Sequence, residues 1–400
     1  MKSFCLERPE SEDVRYIKKE VISPHKSILS PEFEPPSIPE DEKYEGTEVD
    51  PNVLSALPDG TRAIWSATYR ASFWAISTKI DAEDPEGDKK SYFMKVRRTE
   101  TLSLTRTVLI QGDDKVYTTV KAQAQAIGEY LSTKAIYAVI PDSVPRPIAL
   151  GSLARDPSKH FYLAEYKDMK EEMPPLRDLA SVIANLHNNS ISPNGRFGFQ
   201  VPTSQSLQLE NTWCDTWEEF FTRAFRNTVR LEQEIQGAHD ELQRLADEMC
   251  DKVIPRLLRP METGGRKLKP TLLHGDLWHG NIGVDLMTDQ VVLYDCCAFY
   301  GHHEYDLGMF RASRYRTSRA HVDAYNELVP ISDPAADFDD RNALYALRVD
   351  LEVSCGWPEN KRMRQLAIEE MRRLVGKYPG GYEAWEKEEV EEEDRGKRRH

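Results

Sequence analysis

Two carboxylates and an amide follow one another in this sequence at spacings that phosphoryl-transfer sites use. Asp276 and Asn281 stand five residues apart in the run H-G-D-L-W-H-G-N, and Asp295 follows Asn281 by fourteen residues, after a short apolar run. Kinases space a base Asp and a metal-binding Asn in this way and carry a further metal-binding Asp downstream. Asp and Asn are also common in turns, but the surrounding histidine and leucine favour the catalytic interpretation. We predict that Asp276 accepts the proton of a substrate hydroxyl and that Asn281 and Asp295 bind Mg²⁺.

A second group of residues provides candidates for binding ATP, the cofactor that this chemistry requires. Lys95 lies in an apolar, strand-like segment, as does the phosphate-binding lysine of kinases, although a lysine on an edge strand commonly faces water. Glu129 lies in a helical segment and is our candidate partner for Lys95, the alternative being an exposed helix carboxylate. Glu165, Tyr166 and Lys167 follow the next strand-like segment. We predict that their backbone groups border the adenine, although an ordinary linker would have the same composition.

The first predicted β-hairpin lacks the G-x-G-x-x-G pattern that lets a backbone approach phosphates closely. Residues 65–72, W-S-A-T-Y-R-A-S, occupy the expected position. We expect hydroxyl groups of Ser66, Thr68 or Ser72 to donate hydrogen bonds where other kinases use glycine backbone.

Composition restricts the class of protein. The chain has 400 residues, which is enough for two lobes with cores of their own. Its formal net charge is −14, which argues against nucleic acid as a partner. Six cysteines are scattered without a C-x-x-C pair, which is typical of reduced thiols in a cytoplasmic protein. No apolar run reaches the length of a membrane span, so we expect no membrane partner, and the oligomeric state stays open.

Changes in composition along the chain predict its organisation. Residues 1–48 are rich in Pro, Glu, Ser and Lys and are predicted to be a disordered leader. Residues 49–166 contain mostly strand-like runs and form the predicted N-lobe, which binds nucleotide. Residues 167–380 contain mostly helical patterns and form the predicted C-lobe, which binds substrate and catalyses, and residues 381–400 form a charged tail. A β-rich lobe followed by a helical lobe is an α+β architecture.

The motifs resemble those of the fructosamine-3-kinase / ketosamine-3-kinase family, which includes protein-ribulosamine 3-kinases. The most specific matches are residues 272–283, L-L-H-G-D-L-W-H-G-N-I-G, and residues 294–307, Y-D-C-C-A-F-Y-G-H-H-E-Y-D-L. Further matches, in chain order, are residues 93–96, 128–129, 144–147, 163–166, 179–187, 197–199, 211–213 and 217–221.

This resemblance implies a two-lobed, protein-kinase-like fold similar to that of aminoglycoside phosphotransferases. It implies transfer of the γ-phosphoryl group of ATP to O3 of a ketosamine, either on a lysine of a glycated protein or in a small molecule. The labile 3-phosphate then leaves, which frees the lysine. Many relatives share ribulosamines as substrates, and only some act on fructosamines. The family pattern makes Asp276 the base, Asn281 and Asp295 the metal ligands, and Lys95 the phosphate-binding residue.

Two tryptophans are candidates for contact with the sugar, and two positions depart from the family pattern. Trp213 and Trp278 have flat rings that suit a sugar face or a cationic amine, the alternative being core packing. His279 stands where serine is common, and Cys296 and Cys297 replace the P-A of the usual D-P-A.

Two other classes of function compete with a ketosamine kinase. One is a kinase for an aminoglycoside or choline-like alcohol in the same fold, which the Y-G-H-H-E segment disfavours. The other is a non-catalytic pseudokinase, which the glycine-poor hairpin favours. Retention of Lys95, Asp276, Asn281 and Asp295 opposes it.

Overall fold

The structure is a computed structural model that describes residues 45–71, 75–97, 114–170, 172–203 and 210–397. The predicted leader lies outside these residues up to residue 44, and residues 72–74 lie outside them too. The described chain forms a lobe dominated by one antiparallel sheet and then a lobe made largely of helices. This is the order of lobes that the sequence predicts.

The described residues of the N-terminal lobe form six strands and two α-helices. They are β1 (Glu45–Gly46), α1 (Pro51–Ala56), β2 (Arg62–Ala71), β3 (Ala75–Glu83), β4 (Lys89–Arg97), α2 (Asp114–Tyr137), β5 (Pro147–Ser152) and β6 (His160–Glu165). The strands form one sheet in the order β1-β2-β3-β4-β6-β5. Residues 65–71, expected to approach the phosphates, lie within β2, and Ser72 lies outside the described residues.

Side chains of β4 point alternately to the two faces of the sheet, and the two charged ones near its end project from the same face. Tyr92, Met94 and Val96 are buried in the apolar core of this lobe. Because successive side chains of a strand point to opposite faces, Lys95 and Arg97 project from the other face, where they meet α2.

The C-terminal lobe contains eight α-helices and five short strands among the described residues. They are β7 (Met169–Lys170), α3 (Leu176–Asn189), α4 (Trp217–Gln236), α5 (Asp240–Glu248), α6 (Ile254–Leu258), β8 (Thr271–Leu273), β9 (Ile282–Asp285), β10 (Val291–Leu293), β11 (Phe299–Gly301), α7 (Arg319–Asn326), α8 (Phe338–Gly356), α9 (Lys361–Lys377) and α10 (Gly381–Lys397). The strands form two small sheets, β10-β9-β7 and β11-β8. Trp217 is fully buried in the core of the helices, and its Nε1 donates to Tyr345 Oη at 2.9 Å.

The segment predicted as a charged tail forms α10 over most of its length. Trp385 in α10 is only 9% exposed, and the Arg256 guanidinium of α6 lies 5.4 Å from its ring centroid. The first turns of α10 therefore pack against the lobe because they carry aromatic side chains. No helix in the described ranges is long and apolar enough to cross a membrane.

Candidate active site

The loop after β8 carries the first predicted catalytic residues, and a glycine allows its sharp turn. β8 pairs with β11, and beyond this pair His274 O accepts a hydrogen bond from Cys297 N–H at 2.9 Å. Gly275 has a φ of +80°, and a Cβ on it would lie 2.2 Å from Cys297 O. A side chain at this position would therefore displace the backbone immediately before Asp276.

The backbone of this loop is held by Asp306, which lies in the 3₁₀ segment His303–Arg311. Its carboxylate accepts hydrogen bonds from His274 N–H at 2.8 Å and from Gly275 N–H at 3.0 Å. Burial by itself would raise the pKa of Asp306, but hydrogen bonds, above all with His187, outweigh this effect and lower the pKa. The buried, ionised carboxylate of Asp306 thus fixes the orientation of the loop backbone.

Asp276 and Asn281 are held against each other by the short 3₁₀ turn His279–Asn281. Asn281 Nδ2 donates to Asp276 Oδ2 at 2.9 Å and to Asp276 O at 2.8 Å. Both bonds use the amide nitrogen, which leaves the amide oxygen for a cation. Burial raises the pKa of Asp276 to about 7, the charge of Glu352 adds to the rise, and the bond from Asn281 opposes it. A carboxylate with a pKa near neutrality is well suited to accept a proton from a hydroxyl.

Asp295 follows β10 in an uncommon backbone conformation. Its φ is 55°, in the left-handed region that residues other than glycine rarely adopt, and such conformations concentrate at functional sites. The preceding residue, Tyr294, donates its N–H to Asn281 O at 3.1 Å, and its O lies 3.0 Å from His274 Nε2. These two contacts set Asp295 beside the loop that carries Asp276.

Lys95 connects the two lobes at this point. Its Nζ lies 2.9 Å from Glu129 Oε1 and 2.9 Å from Asp295 Oδ1. The Arg97 guanidinium also binds Glu129, and Lys95, Arg97 and Glu129 are all buried. Lys95 and Arg97 therefore balance the Glu129 carboxylate where little water can screen them, whereas the Asp295 side chain keeps 35% of its surface exposed. Sequence reasoning missed Arg97, although its position two residues after Lys95 puts it on the same face of β4.

Glu165, Tyr166 and Lys167 lie where β6 ends and the chain passes to the C-terminal lobe. Glu165 N–H donates to Arg146 O at 2.9 Å, and Tyr166 N–H donates to Ser91 O at 3.0 Å. Both donors are thus engaged within the N-terminal lobe. The predicted contact with adenine therefore depends on the other backbone groups of this segment.

The two tryptophans predicted to contact sugar have different surroundings. The Trp278 ring folds back over Gly280, where a Cβ would lie 2.3 Å from it, and its centroid lies 5.7 Å from that of Tyr315. Trp213 stacks on Tyr300 with centroids 6.0 Å apart. Both tryptophans remain partly exposed, and their role toward a sugar stays a prediction.

The groups around the cleft fit a divalent cation and a nucleotide. Asp295 and Asn281 provide carboxylate and amide oxygens, the hard donors that Mg²⁺ prefers. The Lys95 ammonium, held by Glu129, provides positive charge for phosphates.

The two lobes define a protein-kinase-like fold, and solved structures have the same fold. A protein from Thermobifida fusca, named as a fructosamine-3-kinase candidate, has a TM-score of 0.59 at 19% identity, over 82% of this chain and 99% of that chain. The aminoglycoside phosphotransferase APH(4)-Ia, in a ternary complex with AMP-PNP and hygromycin B, has a TM-score of 0.50 at 14% identity, over 82% and 97% of the two chains. The predicted two-lobed α+β fold is confirmed.

Within this class the chain belongs to the fructosamine kinase family, because the fructosamine kinase model matches residues 89–355. The match includes the predicted base, the predicted metal ligands, Lys95, Glu129 and residues 165–167, whereas the hairpin hydroxyls at residues 66, 68 and 72 precede it. It confirms the family that the motifs indicate. A protein-ribulosamine 3-kinase, chloroplastic, from Arabidopsis thaliana is 29% identical over 221 residues, which cover 55% of this chain and 63% of the relative. The chain thus matches somewhat less than two thirds of that relative's length.

Proposed function

We propose that this protein is an ATP-dependent ketosamine 3-kinase. It transfers the γ-phosphoryl group of ATP to O3 of a ribulosamine or fructosamine carried by a lysine of a glycated protein or by a small amine. The observation that carries this proposal is the meeting of Asp276, Asn281, Asp295 and Lys95 at one cleft in a fructosamine kinase family member. The name of the Arabidopsis relative supports the class of acceptor.

Each residue has its own task in this proposal. Asp276 accepts the proton of the O3 hydroxyl. Lys95, oriented by Glu129, binds the phosphates, and the segment from Glu165 to Lys167 borders the adenine. Asn281 and Asp295 hold Mg²⁺, which when bound neutralises charge on the transferring phosphoryl group.

Deglycation is the proposed consequence, because a phosphate on O3 is a good leaving group and its loss releases the lysine amine. The cysteines that the structure describes are free and buried, which fits a reducing compartment. A cytoplasmic location and the lack of a nucleic-acid partner stay predictions.

Phosphorus NMR on defined acceptors tests the proposal. Purified protein with Mg-ATP is incubated with ribulosyl-lysine or fructosyl-lysine, and Asp276→Asn protein serves as the matched control. We expect a 3-phosphate signal with wild-type protein and none with the variant.

The pattern of acceptors distinguishes the alternatives. Product from ribulosyl-lysine alone identifies a ribulosamine 3-kinase, and product from both identifies a broader deglycating kinase. If neither acceptor reacts while an aminoglycoside or choline-like alcohol does, the small-molecule kinase replaces the proposal. ATP binding without turnover of any alcohol would indicate a pseudokinase.

A further inference from the structure

The proposed function gives no task to Arg97, the second buried cation beside Glu129. Arg97 is 1% exposed, and Lys95 and Glu129 are also buried. Each oxygen of the Glu129 carboxylate binds a different cation: Oε1 lies 2.9 Å from Lys95 Nζ, and Oε2 accepts a hydrogen bond from the Arg97 guanidinium. Two buried cations therefore share one carboxylate.

The sharing changes the charge that this cluster presents to a ligand. Lys95 and Glu129 alone would be a neutral pair, in which the carboxylate offsets much of the attraction of the ammonium for an anion. Arg97 adds a positive charge, which an arginine keeps even when it is buried. The three side chains together are therefore positively charged, and this charge is weakly screened because little water reaches them.

The surplus charge lies where we expect the phosphates of ATP. Besides Glu129, Lys95 Nζ contacts Asp295 Oδ1 at 2.9 Å, and the Asp295 side chain keeps 35% of its surface exposed. Asp295 is a ligand of Mg²⁺ in the proposed function, so its charge is then matched by the metal ion. Lys95 is left with Glu129, whose charge Arg97 already offsets.

The glycine-poor hairpin gives this chain a reason to use a second cation. In other kinases a glycine-rich loop covers the phosphates, and the lack of side chains lets its backbone N–H groups approach them closely. Here residues 65–71 belong to β2, which pairs with β3 along most of its length. Fewer backbone donors are therefore available to phosphates, and side-chain cations must supply more of the opposing charge.

We propose that Arg97 neutralises Glu129 and so leaves the Lys95 ammonium its full charge for the phosphates of ATP. This inference rests on the ATP binding of the proposed function. Arg97 is a positioning residue in this account, because it acts through Glu129 and not by contact with the nucleotide.

Nucleotides that differ only in their phosphates test this assignment. Dissociation constants for ATP, ADP and adenosine are measured by isothermal titration calorimetry with Mg²⁺ present. Arg97→Gln keeps a polar side chain beside Glu129 but removes the charge. We expect the Kd for ATP to rise roughly 10- to 100-fold, as for loss of one weakly screened charge near an anion. The Kd for ADP should rise less, and the Kd for adenosine, which carries no phosphate, should not change.

Two further variants separate charge from packing. Arg97→Gln combined with Glu129→Gln removes one charge of each sign, and the new amide keeps an oxygen for Lys95, so its ATP affinity should be close to that of the wild type. Removing a buried pair as a whole disturbs folding less than removing one partner, which keeps the test valid if Arg97→Gln is poorly folded. Arg62→Gln, at a β2 arginine whose side chain is 72% exposed, is the control and should leave all three constants unchanged.

Each possible result decides for or against the role of Arg97. Unchanged ATP binding in Arg97→Gln, or an equal loss of affinity for ATP and adenosine, overturns it. A double variant that binds adenosine normally but ATP weakly also overturns it, because the effect would then come from geometry and not from charge. These measurements need no acceptor, so wild-type protein that binds ATP but phosphorylates no ketosamine overturns the kinase and leaves the role of Arg97 standing.

Discussion

Asp276 combines two properties that have opposite effects on this protein. Burial raises its pKa to about 7, which brings it close to the value that a general base needs at neutral pH. At pH values above the ordinary pKa of a carboxyl group, the raised pKa lowers the free energy of unfolding, because the unfolded chain releases the proton more readily than the folded protein does. The residue that we propose as the base therefore also lowers stability.

Loss of the base should abolish turnover but leave nucleotide binding intact. In Asp276→Asn the amide cannot accept the hydroxyl proton, so kcat should fall by about 10²- to 10⁴-fold. ATP affinity, measured by isothermal titration calorimetry, should equal that of the wild type. Asp251→Asn, at an exposed carboxylate, is the control. A variant with wild-type kcat would show that another group acts as the base.

The same substitution should stabilise the fold at neutral and higher pH. Raising the pKa from 3.8 to about 7 costs at most about 4 kcal/mol above pH 7, at 1.36 kcal/mol per unit. The folded state loses this free energy as pH rises through 7, so the gain in Asp276→Asn should be largest at pH 8 and shrink towards pH 4. Urea denaturation at both pH values measures it. If the variant is no more stable than the wild type at pH 8, the pKa of Asp276 is not raised in the folded protein.

At the scale of elements, the segment His303–Arg311 supports the loop that carries Asp276, and its two carboxylates find their hydrogen-bond partners within the protein. Glu304 accepts from Arg341 Nε at 2.8 Å and from Ser332 N–H at 2.9 Å. Possible ligand atoms of His302, His303 and Glu304 lie within 4.8 Å of one another. Because Glu304 pairs with Arg341 and both histidines contact the Ser332 hydroxyl, we interpret this group as structural support.

Removing the charge from Asp306 should loosen the catalytic loop. An amide in Asp306→Asn accepts from only one of the two N–H groups that the carboxylate now satisfies. The free energy of unfolding should fall by about 2–3 kcal/mol, and kcat should fall more than KM for ATP changes. Urea denaturation and steady-state kinetics provide the two readouts.

The comparison variant for Asp306 is Asp323→Asn, at an exposed carboxylate. It should behave as wild type in both measurements. Wild-type kcat in Asp306→Asn would mean that the loop holds its conformation without this carboxylate.

At the scale of the whole molecule, several histidines are buried in their neutral form. Burial lowers the pKa of His274 and His302, and it lowers that of His303 to about 3. The unfolded chain therefore binds protons in a pH range where the folded protein does not. Stability from these groups is complete above pH 6.5 and is lost as the pH falls below that value.

Replacing one of these histidines should reduce the loss of stability that accompanies a fall in pH. At pH 5, His303 costs about 2 kcal/mol, which is 1.5 units at 1.36 kcal/mol each. His303→Gln keeps polar contacts with Tyr325 and Ser332 but cannot titrate, so its loss of stability between pH 7 and pH 5 should be smaller by this amount. Urea denaturation across this range measures the slope, and an unchanged slope would contradict a neutral, buried His303.

Local patterns in the sequence predict much of the fold. Leu179, Ile183 and Leu186 recur at helical spacing, and they lie on the buried face of α3. Helical spacing also continues over residues 216–249, but the structure divides this run into α4 and α5 at Gly237, where φ is +89°. Periodicity shows which face of an element is buried, but a break within a helical run depends on how its two parts pack.

The sequence by itself determined which groups can carry out chemistry, because Asp276 and Asn281 lie within one loop and their spacing is local information. Only the tertiary structure decided that Glu129 binds Arg97, 32 residues before it in the chain, as well as Lys95. It also decided that the Asp306 carboxylate binds the backbone of His274, another residue 32 positions earlier. The effect of the Glu352 charge on the pKa of Asp276 also depends on the fold, because Glu352 lies in α8, far from Asp276 in sequence. The physical reason is that side-chain charge and hydrogen bonds act over distances in space, and packing brings together residues whose separation in sequence carries no such information.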